Sequence, residues 1–93
     1  MLPPRVTSLR ETGYRSPSQW EGCLDDGRPV YIRYRHGSLS VQFGPIGDDI
    51  DSAVLADPWF EERLNIDDDP GSTSIERVAE ITGLVIDCPV EGG

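Results

Sequence analysis

The sequence predicts an α+β fold, with a three- or four-stranded antiparallel sheet and two short helices packed on one face. Two observations indicate this fold. Apolar and polar residues alternate along three neighbouring segments between residues 19 and 44, as they do in strands that bury one face. Helix start and stop signals then follow along the chain. A chain of 93 residues has room for one such domain.

The alternation predicts three strands at about 19–24, 29–35 and 39–44, joined by tight turns. Because successive side chains of a strand point to opposite faces, the same pattern assigns the faces of the sheet. The face expected to pack on the helices carries Val30, Ile32, Tyr34, Leu39, Val41 and Phe43, and the opposite face is expected to carry Tyr31, Arg33, Arg35, Ser40 and Gln42.

Two helices are predicted after the sheet, and a helical turn or two can form within residues 49–56. An aspartate followed by a proline is a helix start signal, which predicts a helix from about Pro58 to Leu64. Thr73 and Glu76 fit a capping box at the start of the second helix. Gly83 lies where a left-handed residue would end that helix.

The ends of the chain are predicted to be less regular. Residues 1–17 show no sustained period and predict an extended basic arm, with an edge strand around Val6–Leu9 as the alternative. Residues 18–88 form the single α+β domain, in which Leu84–Ile86 can add a short fourth strand. Residues 89–93 are expected to be a loose tail.

Charge is distributed unevenly along the chain. Residues 1–36 carry six arginines and four acids, whereas residues 37–93 carry two arginines and thirteen acids, and the net charge of the whole chain is −9. Clustered charges of one sign create an electrostatic potential that attracts partners of the opposite charge. The acidic half repels nucleic acid and attracts basic protein surfaces, so a protein partner with a basic surface is expected and direct nucleic-acid binding is not.

The acidic side chains are therefore the candidate partner-binding residues. Carboxylates held on a folded surface can occupy the positions of phosphates and dock onto an arginine- and lysine-rich surface of another protein. The alternative is that they only keep the surface charged and hydrated. The candidates are Asp48, Asp49, Asp51, Glu61, Glu62, Asp67, Asp68 and Asp69.

The sequence predicts neither an enzyme nor a cofactor site. The single histidine, His36, lies at a predicted turn, no nucleophile motif surrounds any serine, and no glycine-rich phosphate loop follows a strand. The segment Asn65–Glu76 resembles a calcium loop in its acidic spacing. Its sixth position needs a glycine and holds Pro70, so no metal site is predicted and the segment is interpreted as a solvated acidic loop.

The remaining signals concern location in the cell. No stretch approaches the roughly 18 apolar residues of a membrane span, and the first residues lack a signal-peptide core. Cys23 and Cys88 lie outside any metal-binding spacing and are predicted to be reduced thiols, with a disulfide between them as the alternative. We therefore expect a cytoplasmic protein without membrane contact.

In size, acidity and lack of catalytic motifs, the chain resembles the small, acidic, phage-encoded inhibitors called anti-CRISPR proteins. The resemblance implies a single compact domain that acts without catalysis by filling a basic nucleic-acid channel of its target. The residues that carry it are the acidic cluster Asp48, Asp49, Asp51, Asp67, Asp68 and Asp69.

The expected function is thus a non-enzymatic acidic binding module that inhibits or regulates a protein with a basic, nucleic-acid-facing surface. The alternative is a small interaction, assembly or immunity-type protein that binds through its sheet face or an open sheet edge. Binding by charge should weaken steeply as salt rises, whereas pairing of strand edges should tolerate salt.

Overall fold

A computed structural model of the protein describes residues 3–14, 18–35, 37–63 and 74–91. Within these ranges the chain forms seven strands and two helices. In chain order they are β1 (Arg5–Tyr14), β2 (Ser18–Leu24), β3 (Pro29–Arg35), β4 (Ser38–Phe43), α1 (Ile50–Val54), β5 (Pro58–Arg63), α2 (Ile75–Thr82), β6 (Val85–Ile86) and β7 (Val90–Glu91).

All seven strands belong to one mixed sheet. Six of them follow the order β5-β4-β3-β2-β1-β6, and β7 pairs with β1 outside this order. Strands β1 to β5 pair with antiparallel neighbours, and the short strands β6 and β7 both pair with β1 in parallel. The predicted fold class is therefore wrong. The protein is mostly β, not a sheet of three or four strands with two helices packed on it.

The centre of the sheet agrees with the alternation in the sequence. Trp20, Ile32 and Val41 lie opposite one another on β2, β3 and β4, and all three are buried on the same face. The predicted core face is confirmed: Val30, Ile32, Tyr34, Leu39 and Val41 are fully buried, and Phe43 packs partly buried against them.

Residues 5–14, for which the sequence predicted an extended arm, form the longest strand of the sheet. β1 pairs along its length with β2 and has two register shifts, between Val6 and Ser8 and between Glu11 and Gly13. Each shift places one extra residue on β1, as in a β-bulge. Val6 and Leu9 can therefore both be buried although they are three positions apart.

Residues 58–63 form strand β5 and not the predicted helix. Phe60 lies opposite Val41 and packs partly buried against the core. Pairing with the exposed edge of β4 satisfies backbone groups and covers Phe60, and this tertiary gain outweighs the helix start signal at Pro58. The helix prediction was wrong because it used only the local start signal and did not include the pairing with β4.

The two helices lie on opposite faces of the sheet, which corrects the expectation that both cover one face. α2 packs through its one buried residue, Val78, on the face that carries Ile32. α1 packs against β3 and β4 on the other face, where the side chain of Gln42 contacts its last turn. Tyr31, which lies opposite Gln42, is consequently only 8% exposed.

The ends of α2 follow the chemistry of helix capping. The hydroxyl of Ser74 accepts a hydrogen bond from the backbone N–H of Arg77 at 3.3 Å. Gly83 has a φ of +83° and donates its N–H to the carbonyl of Ala79, as the sequence predicted for a left-handed cap. The predicted capping residue Thr73 lies outside the described residues.

Candidate interaction surface at the β5 edge

The two edges of the sheet differ in how they are covered. At one edge β6 pairs with residues 5–6 of β1, and β7 pairs with residues 9–10, so the C-terminal segment covers much of that strand. At the other edge β5 pairs with β4 and has no second strand partner among the described residues. An uncovered edge presents backbone N–H and C=O groups that can pair with another chain.

An aromatic contact holds the first half of β5 in place. The register shifts between Val41 and Gln42, so Trp59 is an extra residue on β5 between Pro58 and Phe60. Its ring lies 5.1 Å from the ring of Phe43, tilted by 37°. Trp59 nevertheless remains 44% exposed.

Phe43 also contacts a cation. The guanidinium carbon of Arg28 lies 5.0 Å from the centre of the Phe43 ring. Asp26 holds that guanidinium through a 2.8 Å contact from Nε to Oδ2, and it accepts the backbone N–H of Arg28 at 3.1 Å. The backbone hydrogen bond is the main reason why the pKa of Asp26 lies below its ordinary value of 3.8.

The segment before β5 is tied to the sheet by one amide. The Nε2 atom of Gln42 lies 3.2 Å from the carbonyl oxygen of Ala53, 3.0 Å from that of Val54 and 2.8 Å from that of Ala56. Ala53 and Val54 lie at the end of α1, and Ala56 follows the helix on the way to β5. Gln42 therefore fixes the position from which the chain enters β5.

The exposed apolar side chains are concentrated in the part of the chain that leads into β5. Of the five large hydrophobic residues that are exposed in the described part of the chain, four lie between residues 46 and 59. Leu55 is the extreme case, with 85% of its surface exposed. Exposed apolar side chains are typical of interaction sites, and one of them, Trp59, lies on β5 itself. The four are Ile46, Val54, Leu55 and Trp59.

The structure separates the predicted acidic residues into two groups. Asp48, Asp49 and Asp51 lie at the start of α1, and all three are exposed. Glu61 and Glu62 lie on β5, opposite Ser40 and Leu39, so their side chains project to different faces of the sheet. None of the five forms an ion pair with a described residue. The remaining candidates, Asp67, Asp68 and Asp69, lie outside the described residues.

Sequence reasoning named an open sheet edge as an alternative binding surface, but it did not place that edge on β5 and it missed most of the exposed apolar residues. Trp59 and Phe60 were expected to lie on one short helix, whereas β5 leaves the first exposed and half-buries the second. Leu55 and Ile46 carried a usable signal, because isolated apolar residues among aspartates and glycines have few partners to bury them. The edge itself has no signal in the sequence, since it depends on which strands pair.

Among the described residues, no group of three or more acidic, cysteine or histidine side chains converges in a way that could hold a metal ion. Asn65 and Pro70 of the calcium-like segment, and also His36, lie outside the described residues. In the described part of the chain no helix is long and apolar enough to cross a membrane.

The two cysteines are free thiols in different environments. Cys23 is exposed on β2, and Cys88 is half-buried between β6 and β7. Burial raises the pKa of the Cys88 thiol above its ordinary value of 9.0, and the neighbouring charges of Asp87 and Glu91 raise it further.

This shift predicts how stability changes in alkali. Because the folded state raises the pKa of Cys88, its contribution is fully present below the unfolded pKa of 9.0 and is lost as pH rises through the folded value. We expect the parent Tm to fall more steeply between about pH 8 and about pH 10 than the Tm of Cys88→Ser, which has no titrating thiol. Cys23→Ser is the control and should follow the parent. Parallel curves for parent and Cys88→Ser would contradict the prediction.

No family of known proteins, no curated protein and no solved structure matches this chain.

Proposed function

We propose that this protein is a non-enzymatic, cytoplasmic binding module that holds a basic, extended segment of a partner protein along the edge of β5. The observation that carries the proposal is the edge of β5, which has no second strand partner among the described residues and bears Glu61, Glu62 and exposed Trp59. Backbone pairing supplies affinity for an extended segment, and the flanking side chains select among segments.

Charge argues for a basic partner. Residues 48–63 contain six carboxylates and one arginine, so an arginine- or lysine-bearing strand meets attraction there and a phosphate backbone meets repulsion. The partner's basic surface is expected to face nucleic acid, and its occupation would inhibit or regulate the partner. The acidic composition supports both this inhibitory role and the resemblance to anti-CRISPR proteins.

Charge also argues against a second copy of this chain as the occupant. Two β5 edges placed side by side would bring the carboxylates of Glu61 and Glu62 close to those of the other copy. Like charges on directly opposed strands destabilise the pairing. Charged residues on an edge strand are a common way in which proteins prevent self-association.

A labelled peptide of alternating arginine and valine tests the proposal directly. We expect it to bind the parent and to shift the amide NMR signals of β5, whereas a matched glutamate–valine peptide should not bind. The double change Glu61→Lys with Glu62→Lys should weaken binding by about tenfold or more at about 50 mM salt, and by less at about 300 mM, because salt screens the exposed charges. Fluorescence anisotropy measures both.

The matched control is Asp25→Lys with Glu80→Lys, which changes the net charge equally at exposed positions away from β5. This control should keep most of the affinity. If it loses as much as the β5 variant, or if the shifted amides lie outside β5, the proposed edge is wrong. A dimer of the parent in sedimentation that persists at high salt would instead identify a second copy as the occupant.

A further inference from the structure

The hydrogen-bond pattern of the sheet determines which backbone groups of β5 are free to pair. In an antiparallel pair, directly opposed residues alternate between those that exchange N–H···O=C bonds and those that do not. Gly44 donates its N–H to the carbonyl of Pro29 at 3.0 Å, in the register that β3 and β4 share. Counting along β4 from Gly44, Leu39 and Val41 therefore direct their backbone groups away from β3 and toward β5.

A second hydrogen bond gives the same alternation in the neighbouring pair of strands. Leu24 donates its N–H to the carbonyl of Arg28 at 2.9 Å, in the register that β2 and β3 share. Counting from Arg28, the even-numbered residues of β3 face β2, and the odd-numbered residues, from Pro29 on, face β4. The bond between Gly44 and Pro29 agrees with this alternation.

The alternation leaves Glu61 and Arg63 as the residues of β5 whose backbone groups face outward. The two β4 residues that face β5 lie opposite Phe60 and Glu62, so these two residues bond to β4. Glu61 and Arg63 therefore direct their N–H and C=O groups to the side of β5 that has no strand partner among the described residues. An added strand would find its first donors and acceptors there.

The side chains of this stretch have a defined order. Glu61 lies opposite Ser40, and Arg63 shares its face of the sheet, whereas Phe60 and Glu62 lie on the other face. Phe60 packs partly buried against the core, and the three charged residues are exposed. None of the three forms an ion pair with a described residue. From residue 60 to residue 63 the strand thus presents an apolar, two acidic and one basic side chain.

A partner segment is expected to run antiparallel to β5. Antiparallel pairing is slightly more stable per residue than parallel pairing, and it is the commoner of the two. The segment then meets β5 in reverse order, beginning opposite Arg63 and ending opposite Phe60. Because opposite charges on directly opposed residues stabilise the pairing, the complementary segment begins with an acidic residue, continues with two basic residues and ends with an apolar one.

We propose that β5 selects a segment with the order acidic, basic, basic, apolar, and that this segment pairs antiparallel with the backbone of Glu61 and Arg63. The assignment rests on the proposed function, because it requires that β5 holds a partner strand. The two adjacent basic residues project to opposite faces of the sheet, where one meets Glu61 and the other meets Glu62. An alternating arginine–valine segment meets only one of these glutamates, so it is expected to bind more weakly.

Amide exchange measured by NMR tests which backbone groups are free. In the protein alone we expect slow exchange at Phe60 and Glu62 and fast exchange at Glu61 and Arg63. The peptide GTERRVTG, added at about ten times its Kd, should slow exchange at Glu61 and Arg63 about tenfold, since only unbound molecules expose these amides. Slow exchange at Glu61 and Arg63 in the protein alone, with fast exchange at Phe60 and Glu62, would overturn the assignment.

The reversed peptide GTVRRETG tests the order of the segment, because it has the same composition and charge. Paired antiparallel, it places its glutamate opposite Phe60 and its valine opposite Arg63. We expect it to bind about fivefold more weakly or worse, since two favourable cross-strand pairs are lost. Titrations followed by the amide signals of β5 measure both affinities, and equal values would overturn the proposed order.

Isosteric variants test the register. Glu62→Gln should abolish the preference for arginine over glutamine at the first arginine of GTERRVTG and leave the preference at the second, and Glu61→Gln should do the reverse. Glu80→Gln, at an exposed position away from β5, is the control and should retain both preferences. Interchanged or absent couplings would overturn the register.

The peptides also distinguish failure of this assignment from failure of the proposed function. If neither GTERRVTG nor the arginine–valine peptide shifts the amide signals of β5, then β5 holds no basic strand and both proposals are wrong. If both peptides bind along β5 without the expected order or couplings, only the assigned order and register are wrong.

Discussion

Gly22→Ala is expected to prevent the protein from folding at ordinary temperature. Gly22 lies on β2 opposite Leu9, where the β1 backbone passes directly over the position of a side chain. A Cβ built there would collide with the carbonyl oxygen of Ser8 and lie 3.0 Å from the Cα of Leu9. Both are backbone atoms, so no side chain can rotate away, and the two strands would have to separate.

The expected loss is about 4 kcal/mol or more of the free energy of unfolding, which belongs to the exceptional class for one substitution. Single domains have about 5–15 kcal/mol in total, and about 1 kcal/mol lowers the Tm of a domain of this size by about 4–8 °C. Thermal unfolding followed by circular dichroism measures the change.

Gly47→Ala is the matched control, because Gly47 has a φ of +84° but nothing within 4 Å of the added carbon. It should lose only the roughly 1–2 kcal/mol that a left-handed backbone costs an L-residue. If Gly22→Ala melts at or above the temperature of Gly47→Ala, the close approach of β1 and β2 at this position is wrong.

The sequence could predict the strands whose environment is regular. β2 pairs with β3, and β3 with β4, in simple antiparallel register, and the apolar residues of these strands recur at every second position. The core face that includes Ile32 and Val41 was therefore predictable. Short turns join these strands, so each strand pairs with the next one in the chain and the two-residue pattern is preserved.

β1 could not be predicted in the same way. Its bulges insert Thr7 and Thr12 into the pairing with β2, which moves Val6 and Leu9 out of a two-residue period. A periodicity test then finds no strand, although the backbone is extended and paired throughout. Bulges depend on the partner strand, and that information is not local.

The candidate surface was only partly predictable for a related reason. The carboxylates of Glu61 and Glu62 follow directly from composition, but their placement on an edge strand depends on pairing with β4. A helix would have put both on one solvent side, whereas the strand sends them to opposite faces around a backbone that can still pair. The acidic residues therefore act here as flanks of an edge and not as one charged face.

Val78→Asp is expected to release α2 from the sheet. Val78 is fully buried and is the only buried residue of α2, so it anchors the helix on the sheet. A carboxylate introduced there has no described cation to pair with, since the core around it is apolar. A buried unpaired charge typically costs 3–5 kcal/mol, so we expect a loss of about 4 kcal/mol.

The same Val→Asp change at an exposed position distinguishes the cost of burying a charge from the cost of the substitution itself. Val85→Asp on β6 introduces an identical group where the side chain is 36% exposed, and it should cost about 1 kcal/mol or less. Burial would raise the pKa of the introduced carboxyl in Val78→Asp, so the difference from the parent should shrink as pH falls below about 5. Urea unfolding at about pH 7 and about pH 4, with hydrogen exchange across residues 75–82, gives both readouts. Retention of slow exchange in α2 by Val78→Asp at about pH 7 would contradict the prediction that Val78 anchors the helix.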